Sequence, residues 1–234
     1  MSLNYTTYVA ALTDLMITQA DNPDFVTILP DIIDYAEQRI YRELDLLSTR
    51  FTDDSSSLTT ANRNFAIPGN FVVIEEVNAI TPAGTPASNG SRKPLIPVSR
   101  NWIDMVWPGN GSTGLPQHFA MVDQGNIIVG PSPDANYTME IVGTIRPAPI
   151  SASNPTTFLS LNLPDLFLAA SMIFASGFQK NFGAQGDDPK MSVSWESQYQ
   201  TLFASANNEE WRKKFASSAW SSIQPSPFAN PQRN

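Results

Sequence analysis

Leu29-Pro30-Asp31-Ile32-Ile33 opens the stretch that decides the fold, and Leu163-Pro164-Asp165-Leu166-Phe167 repeats its pattern later in the chain. A proline in a first helical turn gives up no hydrogen bond, because N–H groups there have no intrahelical acceptor, and its fixed φ already suits the helix. The aspartate that follows meets the positive end of the helix dipole. Behind the first opening, Ile33, Ala36, Ile40, Leu44 and Leu47 recur at helical spacing, while Asp34, Glu37, Gln38, Arg42 and Glu43 fill the other face. This is the pattern of an amphipathic helix from Pro30 to about Leu47 with one face to bury. Behind the second, Phe167, Ala170, Ile173, Phe174, Gly177 and Phe178 form a broader apolar surface with hardly a charge before Lys180, which marks a central helix ending near Phe182-Gly183. The two helices are expected to pack together.

Working outward, a first helix is expected over residues 5–19, capped by Asn4 or Ser2, with Tyr8, Leu12, Leu15 and Met16 on one side. Asp21-Asn22-Pro23 breaks it, and residues 25–29 form a short turn into the Pro30 helix, giving a helical hairpin. Thr52-Asp53-Asp54-Ser55-Ser56-Ser57 reads as a polar link. From Leu58 to about Pro149 the texture is β, with short strands over residues 64–67, 71–74 (Val77 and Ile80 following), 95–98, 119–122, 127–129 and 137–145. Asp123-Gln124-Gly125-Asn126 is the expected hairpin turn, with Gly125 free to take positive φ, and Pro131-Ser132-Pro133-Asp134 a second reversal. Residues 81–93 and 108–116 read as long exposed loops. Residues 99–107 read as a short helix with Trp102, Val106 and Trp107 on one side.

After a linker at Gly186-Asp187-Asp188-Pro189, a last long helix covers residues 191–216, with Trp195, Tyr199, Leu202, Phe203, Ala206 and Trp211 as its apolar stripe. Arg212, Lys213 and Lys214 lie near its C-terminal end, where cations are favoured. The tail contains Pro225, Pro227 and Pro231 with Ile223 and Phe228 as isolated apolar residues, so it is expected to be extended. The fold class is α+β. An antiparallel bundle of two N-terminal and two C-terminal helices (1–50 and 159–216) carries an inserted antiparallel β-sandwich or small β-barrel (51–158) and an extended Pro-rich tail (217–234).

A chain of 234 residues with 41% hydrophobic and 10% aromatic content can bury a substantial core. Met1-Ser2-Leu3-Asn4-Tyr5 has neither the basic start nor the apolar run of a signal peptide, and no long apolar stretch follows, so neither insertion in a membrane nor export by that route is expected. The chain has no cysteine, which excludes thiolate nucleophiles, disulfides and thiolate metal sites. With 22 acidic against 14 basic residues the net charge is −8, which argues against gripping phosphate backbones. Charged residues make up only 15% of the chain, a composition suited to large assembled interfaces.

His118 is the only histidine, which excludes mechanisms and metal sets that need two. Beside Gln117 and Phe119 at a strand start it reads as structural. No phosphate-binding G-x-x-x-x-G-K-[ST] loop and no G-x-S-x-G elbow is present. Glu75-Glu76, Asp53-Asp54 and Asp187-Asp188 are adjacent carboxylates of the kind glycosidases use, but neighbours on a strand point to opposite faces and the two Asp pairs read as linkers. Trp102 and Trp107 before a Gly-rich loop resemble a sugar-stacking platform, although aromatics at helical spacing more often form core. No catalytic residue, cofactor or metal ligand is assigned.

The order of helical hairpin, β insertion, two helices and docking-type tail resembles the head-to-tail adaptor proteins of short-tailed phages, often called tail tubular protein A. The residues that carry the resemblance are Leu29-Pro30-Asp31 leading into Tyr35-Ala36-Glu37-Gln38-Arg39-Ile40-Tyr41-Arg42-Glu43-Leu44, then Ala66-Ile67-Pro68-Gly69-Asn70-Phe71, then Ile128-Val129-Gly130-Pro131-Ser132-Pro133, and lastly Leu163-Pro164-Asp165-Leu166-Phe167-Leu168 with Trp195 and Tyr199 beyond. It spans about Asp24 to Leu202 and rests on packing and turn signatures. It implies a structural virion protein that forms a ring of about twelve copies around a closed axis. The portal lies above the ring and the tail nozzle or tube below, tail fibres are a further partner, and double-stranded DNA passes through without specific binding. It further implies a location in the tail or neck of the virion after assembly in the host cytoplasm, with no membrane, cofactor or enzymatic activity. Portal docking is expected at Arg212, Lys213, Lys214, Ile223, Pro225, Pro227 and Phe228. The rival readings are a carbohydrate-binding or host-binding tail module and a cell-wall glycan hydrolase.

Overall fold

The structure, a computed structural model, describes residues 2–69, 71–178 and 190–217. Six helices and ten strands run through these residues in the order α1 Tyr5–Met16, α2 Pro23–Glu43, β1 Arg50–Leu58, β2 Asn64–Ala66, β3 Phe71–Thr81, β4 Ser91–Pro94, β5 Ile96–Pro97, α3 Arg100–Val106, β6 Thr113–Gly114, β7 His118–Asp123, β8 Asn126–Gly130, β9 Ser132–Pro133, β10 Tyr137–Ile145, α4 Phe158–Asn162, α5 Pro164–Phe178 and α6 Lys190–Ser217. The chain divides into two compact units, one joining Met1–Ser48 to Ala148–Asn234 and the other formed by Thr49–Pro147.

In the helical unit α1 starts at the Asn4 cap, whose side chain accepts the Thr7 N–H while the Thr7 hydroxyl binds the Asn4 backbone. It stops at Met16 rather than Gln19 because Ile17 takes a left-handed conformation (φ 52°), and Leu15, expected on the apolar side, is exposed. The largest departure is in α2, which does not begin at Pro30. Asn22 caps it from the Asp24 and Phe25 N–H groups, and Pro23 occupies the first turn. Asn22-Pro23-Asp24 is a complete start signal upstream, so Pro30 falls inside a continuous helix. Its missing N–H leaves the Val26 carbonyl without the usual helical donor, and because Val26 and Pro30 are both exposed this carbonyl faces water. Burial of Phe25, Leu29, Ile32, Ile33, Ala36 and Ile40 on one stripe outweighs the lost bond. The helix ends at Glu43, short of Leu47, and Leu44 and Leu46 are buried beyond it.

Leu163-Pro164-Asp165 does start a helix. Nearly every turn of α5 is buried, through Leu166, Phe167, Ala169, Ala170, Met172 and Ala175, and it packs against α1, α2, α4 and α6. Phe167 stacks on Tyr8 of α1 at 4.5 Å between ring centroids, and the Tyr8 hydroxyl meets Ser171 Oγ at 2.8 Å. Burial pushes that phenol far above the ordinary tyrosine range. Tyr35 of α2 stacks on Phe174 at 5.0 Å. The short helix α4, capped by Thr157, was not expected as a separate element. Residues 148–157, expected with the β part, lie in this unit, where the Ile150 N–H donates to Glu37 and the Pro155 carbonyl accepts from Tyr5.

In the other unit β1, β10, β3 and β4 form one antiparallel sheet in that order, and β2, β8, β7 and β5 a second. Neither closes into a barrel. Residues 52–57, read as a polar link, are part of β1, and Thr52, Asp53, Ser56 and Ser57 pair with β10 around a bulge at Asp54-Ser55. An edge strand satisfies its backbone on one side only, so serines and aspartates tolerate the place. One core cluster draws on both sheets through Leu58, Phe65, Val77, Phe119, Val129 and Met139 among others. The second sheet is mixed rather than antiparallel throughout. β5 runs parallel to β7, and α3 is the crossover between them, with Ile103 packed on Ala120 and Ile128. The parallel pair of β6 and β9 also departs from expectation. Residues 81–93 are not a free loop. Their last part forms β4, Ala87 is buried, and Gly90 lies so close to Ile80 that a Cβ would sit 2.1 Å from its Cγ2. At the β7–β8 turn Gly125 does not take positive φ; the Asp123 carboxylate holds the turn by accepting from the Gly125 N–H at 2.7 Å and the Asn126 amide at 3.0 Å.

Gly143 lies in β10 between two paired strands, and a Cβ there would stand 2.2 Å from the Val73 carbonyl oxygen. Backbone atoms cannot rotate away. Gly143→Ala is expected to destabilise this unit by about 2 kcal/mol, read as a lower urea midpoint, with the helical unit's transition unchanged.

Candidate functional site

The side chains most strongly organised by the fold lie along the seam between α2 and α6. Arg39 forks onto Glu196 with both Nη atoms at 2.7 Å, donates from Nε to Glu43 at 3.1 Å, and stacks its guanidinium 4.3 Å from the centre of the Tyr199 ring. The Tyr199 hydroxyl donates to Glu43 at 2.6 Å. The Arg39 hydrogen bonds hold the Glu196 carboxyl below its usual range, and burial followed by Glu43 pushes the Tyr199 phenol up. A planar donor fork bonded to one carboxylate and stacked on a ring fixes both the distance and the rotation of α6. Arg39→Ala is expected to cost about 2 kcal/mol in the helical unit once solvent screening is allowed for. Proteolysis would read it as earlier cleavage within α6.

The C-terminal end of α6 is held separately. Glu210 is 3% exposed and accepts the Leu47 N–H at 3.1 Å and the Lys213 ammonium at 2.7 Å. Lys213 also reaches Glu209 at 2.8 Å and lies 5.3 Å from the Phe158 ring centre. Burial works against its charge, but the two glutamates outweigh it and Lys213 titrates above the ordinary lysine range. Lys214 pairs with Asp45, and Arg212 is exposed. Of the three cations expected at a docking surface, Lys214 therefore ties α6 to the segment after α2, while Lys213 pairs within α6. Ile223, Pro225, Pro227 and Phe228 lie outside the described residues. Trp211, expected on the buried stripe, is 53% exposed, and Glu210 takes the buried position instead because it satisfies the Leu47 amide.

The other candidates disperse. His118 sits between Trp102 and Trp107, at 4.8 and 5.5 Å between ring centroids, with Nδ1 buried and without a hydrogen-bond partner among the described residues. The two tryptophans meet edge to face at 5.5 Å, and Trp107 lies on Gly130, where a Cβ would come within 2.4 Å of the ring. Stacking on a sugar needs an open ring face, and these rings spend theirs on each other, on the imidazole and on backbone. Glu75 pairs with Arg50, and Asp53 and Asp54 belong to β1 rather than a linker, where Asp53 caps the Ser55 N–H. Asp187 and Asp188 lie outside the described residues. Among the described residues no group of three or more potential ligands is placed to hold a metal ion, and no helix is long and apolar enough to cross a membrane.

Glu37 was also misjudged from sequence. Glu37, assigned to the polar face of α2, is 3% exposed and accepts the Ile150 N–H at 3.0 Å. Burial, opposed by that hydrogen bond and assisted by Asp34, pushes its carboxyl from 4.5 to about 7. The signal was present, because Glu37 falls one turn after Ile33 and one before Ile40, inside the buried stripe.

Compared with known proteins, the chain matches the family model described as SU10 adaptor protein over residues 3–223. No curated protein matches it significantly.

Proposed function

Because this chain belongs to the SU10 adaptor protein family, a family of structural phage head-to-tail adaptors, we propose that it is of the tail tubular protein A type and works as a ring. In this reading about twelve copies close around the axis of the virion neck and join the portal to the tail nozzle or tube, with the DNA exit channel through the middle. The single observation that carries it is the length of the family match, which takes in both structural units and not one module alone. The charge supports it: at −8 per chain, a ring presents exiting DNA with repulsion rather than adhesion. So does the seam between α2 and α6, which gives a rigid helical body on which assembly contacts can be built. The portal contact is assigned to Arg212 and to the tail residues Ile223, Pro225, Pro227 and Phe228, with Lys214 holding α6 through Asp45 and Lys213 pairing within the helix.

Mass photometry of the purified chain with and without the portal ring tests the proposal. The expected result is a discrete complex of portal plus about twelve copies. A chain that stays monomeric with portal present refutes it.

A further inference from the structure

Before α4 the chain returns to the helical unit through residues 148–157, where Ile150 is 1% exposed. Pro149, Ile150 and Ser151 wall an apolar groove of about 330 Å³ against Leu29, Pro30 and Ile33 of α2. Residues 148–154 are bonded among themselves: the Ser151 N–H donates to the Asn154 carbonyl at 2.9 Å, and the Asn154 side-chain amide donates to the Ala148 and Pro149 carbonyls, both at 3.0 Å. Among the described residues their one hydrogen bond to α2 runs from the Ile150 N–H to the Glu37 carboxyl at 3.0 Å, since Pro149 has no N–H to offer. The Tyr5 N–H donates to the Pro155 carbonyl at 2.8 Å and ties the far end of the segment to α1. We propose that residues 148–154 are a strap, hinged at Pro155, which the neutral acid of Glu37 latches onto α2 and the ionised carboxylate releases.

The surroundings of the latch set that sense. Glu37 is 3% exposed, and a charge so deeply buried is costly unless an opposite charge or several donors meet it. The strap and α4, residues 148–162, contain no titratable side chain, and α5 has only Asp165, exposed at its start. On α1 the groups within electrostatic reach are the phenols of Tyr8 and, beyond it, Tyr5. On α2, Asp34 one turn earlier brings a second negative charge, and Tyr41 one turn later has its hydroxyl buried without a partner among the described residues. The cations nearest in sequence are engaged elsewhere, Arg39 by Glu43 and by Glu196 of α6, and Arg42 by the Gln38 carbonyl. An ionised Glu37 therefore keeps a single N–H as partner, and opening the strap is what brings water to it.

Burial pushes this carboxyl from 4.5 to about 7, so the latch is fully closed below the solvated value and is lost as pH rises through the closed one. Burial also pushes the Tyr8 and Tyr41 phenols up, and they stay protonated throughout. Opening keeps the bonds within the strap and gives up the Ile150 contact, which removes one wall of the groove.

Hydrogen exchange of the isolated chain tests the strap and does not depend on ring formation or on portal. After division by intrinsic rates, exchange of the Ile150 amide is expected to rise about 70-fold from pH 5 to pH 8, as a solvated value of 4.5 and a closed value of about 7 dictate. In Glu37→Gln, which keeps an oxygen for the Ile150 N–H and carries no charge, it is expected to stay constant. At pH 8 the Ile150 amide of the unsubstituted chain is expected to ignore urea below the unfolding transition, while the amide of Ile40, buried within α2, exchanges faster as urea is added. A flat Ile150 profile overturns the proposal, as does one that keeps its slope in Glu37→Gln. Ile150 exchange that climbs with urea as steeply as that of Ile40 also overturns it, because the segment then opens only when the whole unit unfolds and Glu37 acts on global stability alone.

Discussion

Between pH 4.5 and about 7.5 the helical unit is expected to lose about 3 kcal/mol of stability, and Glu37→Gln is expected to abolish that loss. The carboxyl of Glu37 titrates near 4.5 when solvated and is pushed to about 7 by burial in the fold. Within that window the folded chain keeps a proton that the unfolded chain has released. The stability tied to the neutral acid is thus fully present below the unfolded value and is lost as pH rises through the folded one. Glu196 of the same unit works in the opposite sense: it is held below the usual carboxylate range, chiefly by hydrogen bonds from Arg39, and its contribution is lost only at lower pH. Glutamine keeps an oxygen to accept the Ile150 N–H, and its amide can serve the Tyr41 hydroxyl, which is buried without a partner among the described residues. Urea unfolding of both proteins across this range, followed by tyrosine and tryptophan fluorescence, measures the difference. Equal slopes with pH would remove Glu37 as the cause.

Phe167→Ala is expected to cost the helical unit about 3–5 kcal/mol, the range for emptying a fully buried aromatic site. Phe167 is 0% exposed and lies at the meeting of α1 and α5, its ring parallel to Tyr8 within 11°. Surrounding groups have little freedom to collapse, since Tyr8 is anchored by Ser171 and that serine in turn donates to the Phe167 carbonyl at 2.7 Å. The double change with Tyr8→Ala is expected to fall short of the sum of the single changes by about 1 kcal/mol, because each removes the same stacked contact. Thermal unfolding monitored by near-ultraviolet circular dichroism reads both values. Strict additivity would mean that the stack contributes nothing beyond burial.

Much of the architecture was legible because it rests on chemistry confined to a few neighbouring residues. The Asn4 cap, the Pro164 start and the alternating strand from Tyr137 each satisfy their own backbone or face locally. Pro30 was misread for the same reason: taken alone it is a good start signal, and only the competing cap at Asn22 shows that the helix is already under way. The resemblance to phage adaptors was also carried by such packing and turn residues, and the family match extends across them. The paired lysines of α6 were seen as a charge run; Lys213 pairs with Glu209 and Glu210 one turn away on the same helix, whereas the Lys214 partner Asp45 depends on how segments distant in sequence come together.

Composition, periodicity and capping therefore determined the class of fold, the main helix and strand positions and the absence of thiol chemistry, since each depends on residues within a turn or two of one another. Tertiary structure decided which polar groups are buried. Glu37 became a buried acid because Ile150 and its segment return to cover it, Asp53 became a strand residue because β10 was there to pair with, and Glu210 displaced Trp211 from the core because the Leu47 amide needed an acceptor. Burial and hydrogen-bond satisfaction are properties of what lies opposite a residue, and no local pattern specifies the opposite side.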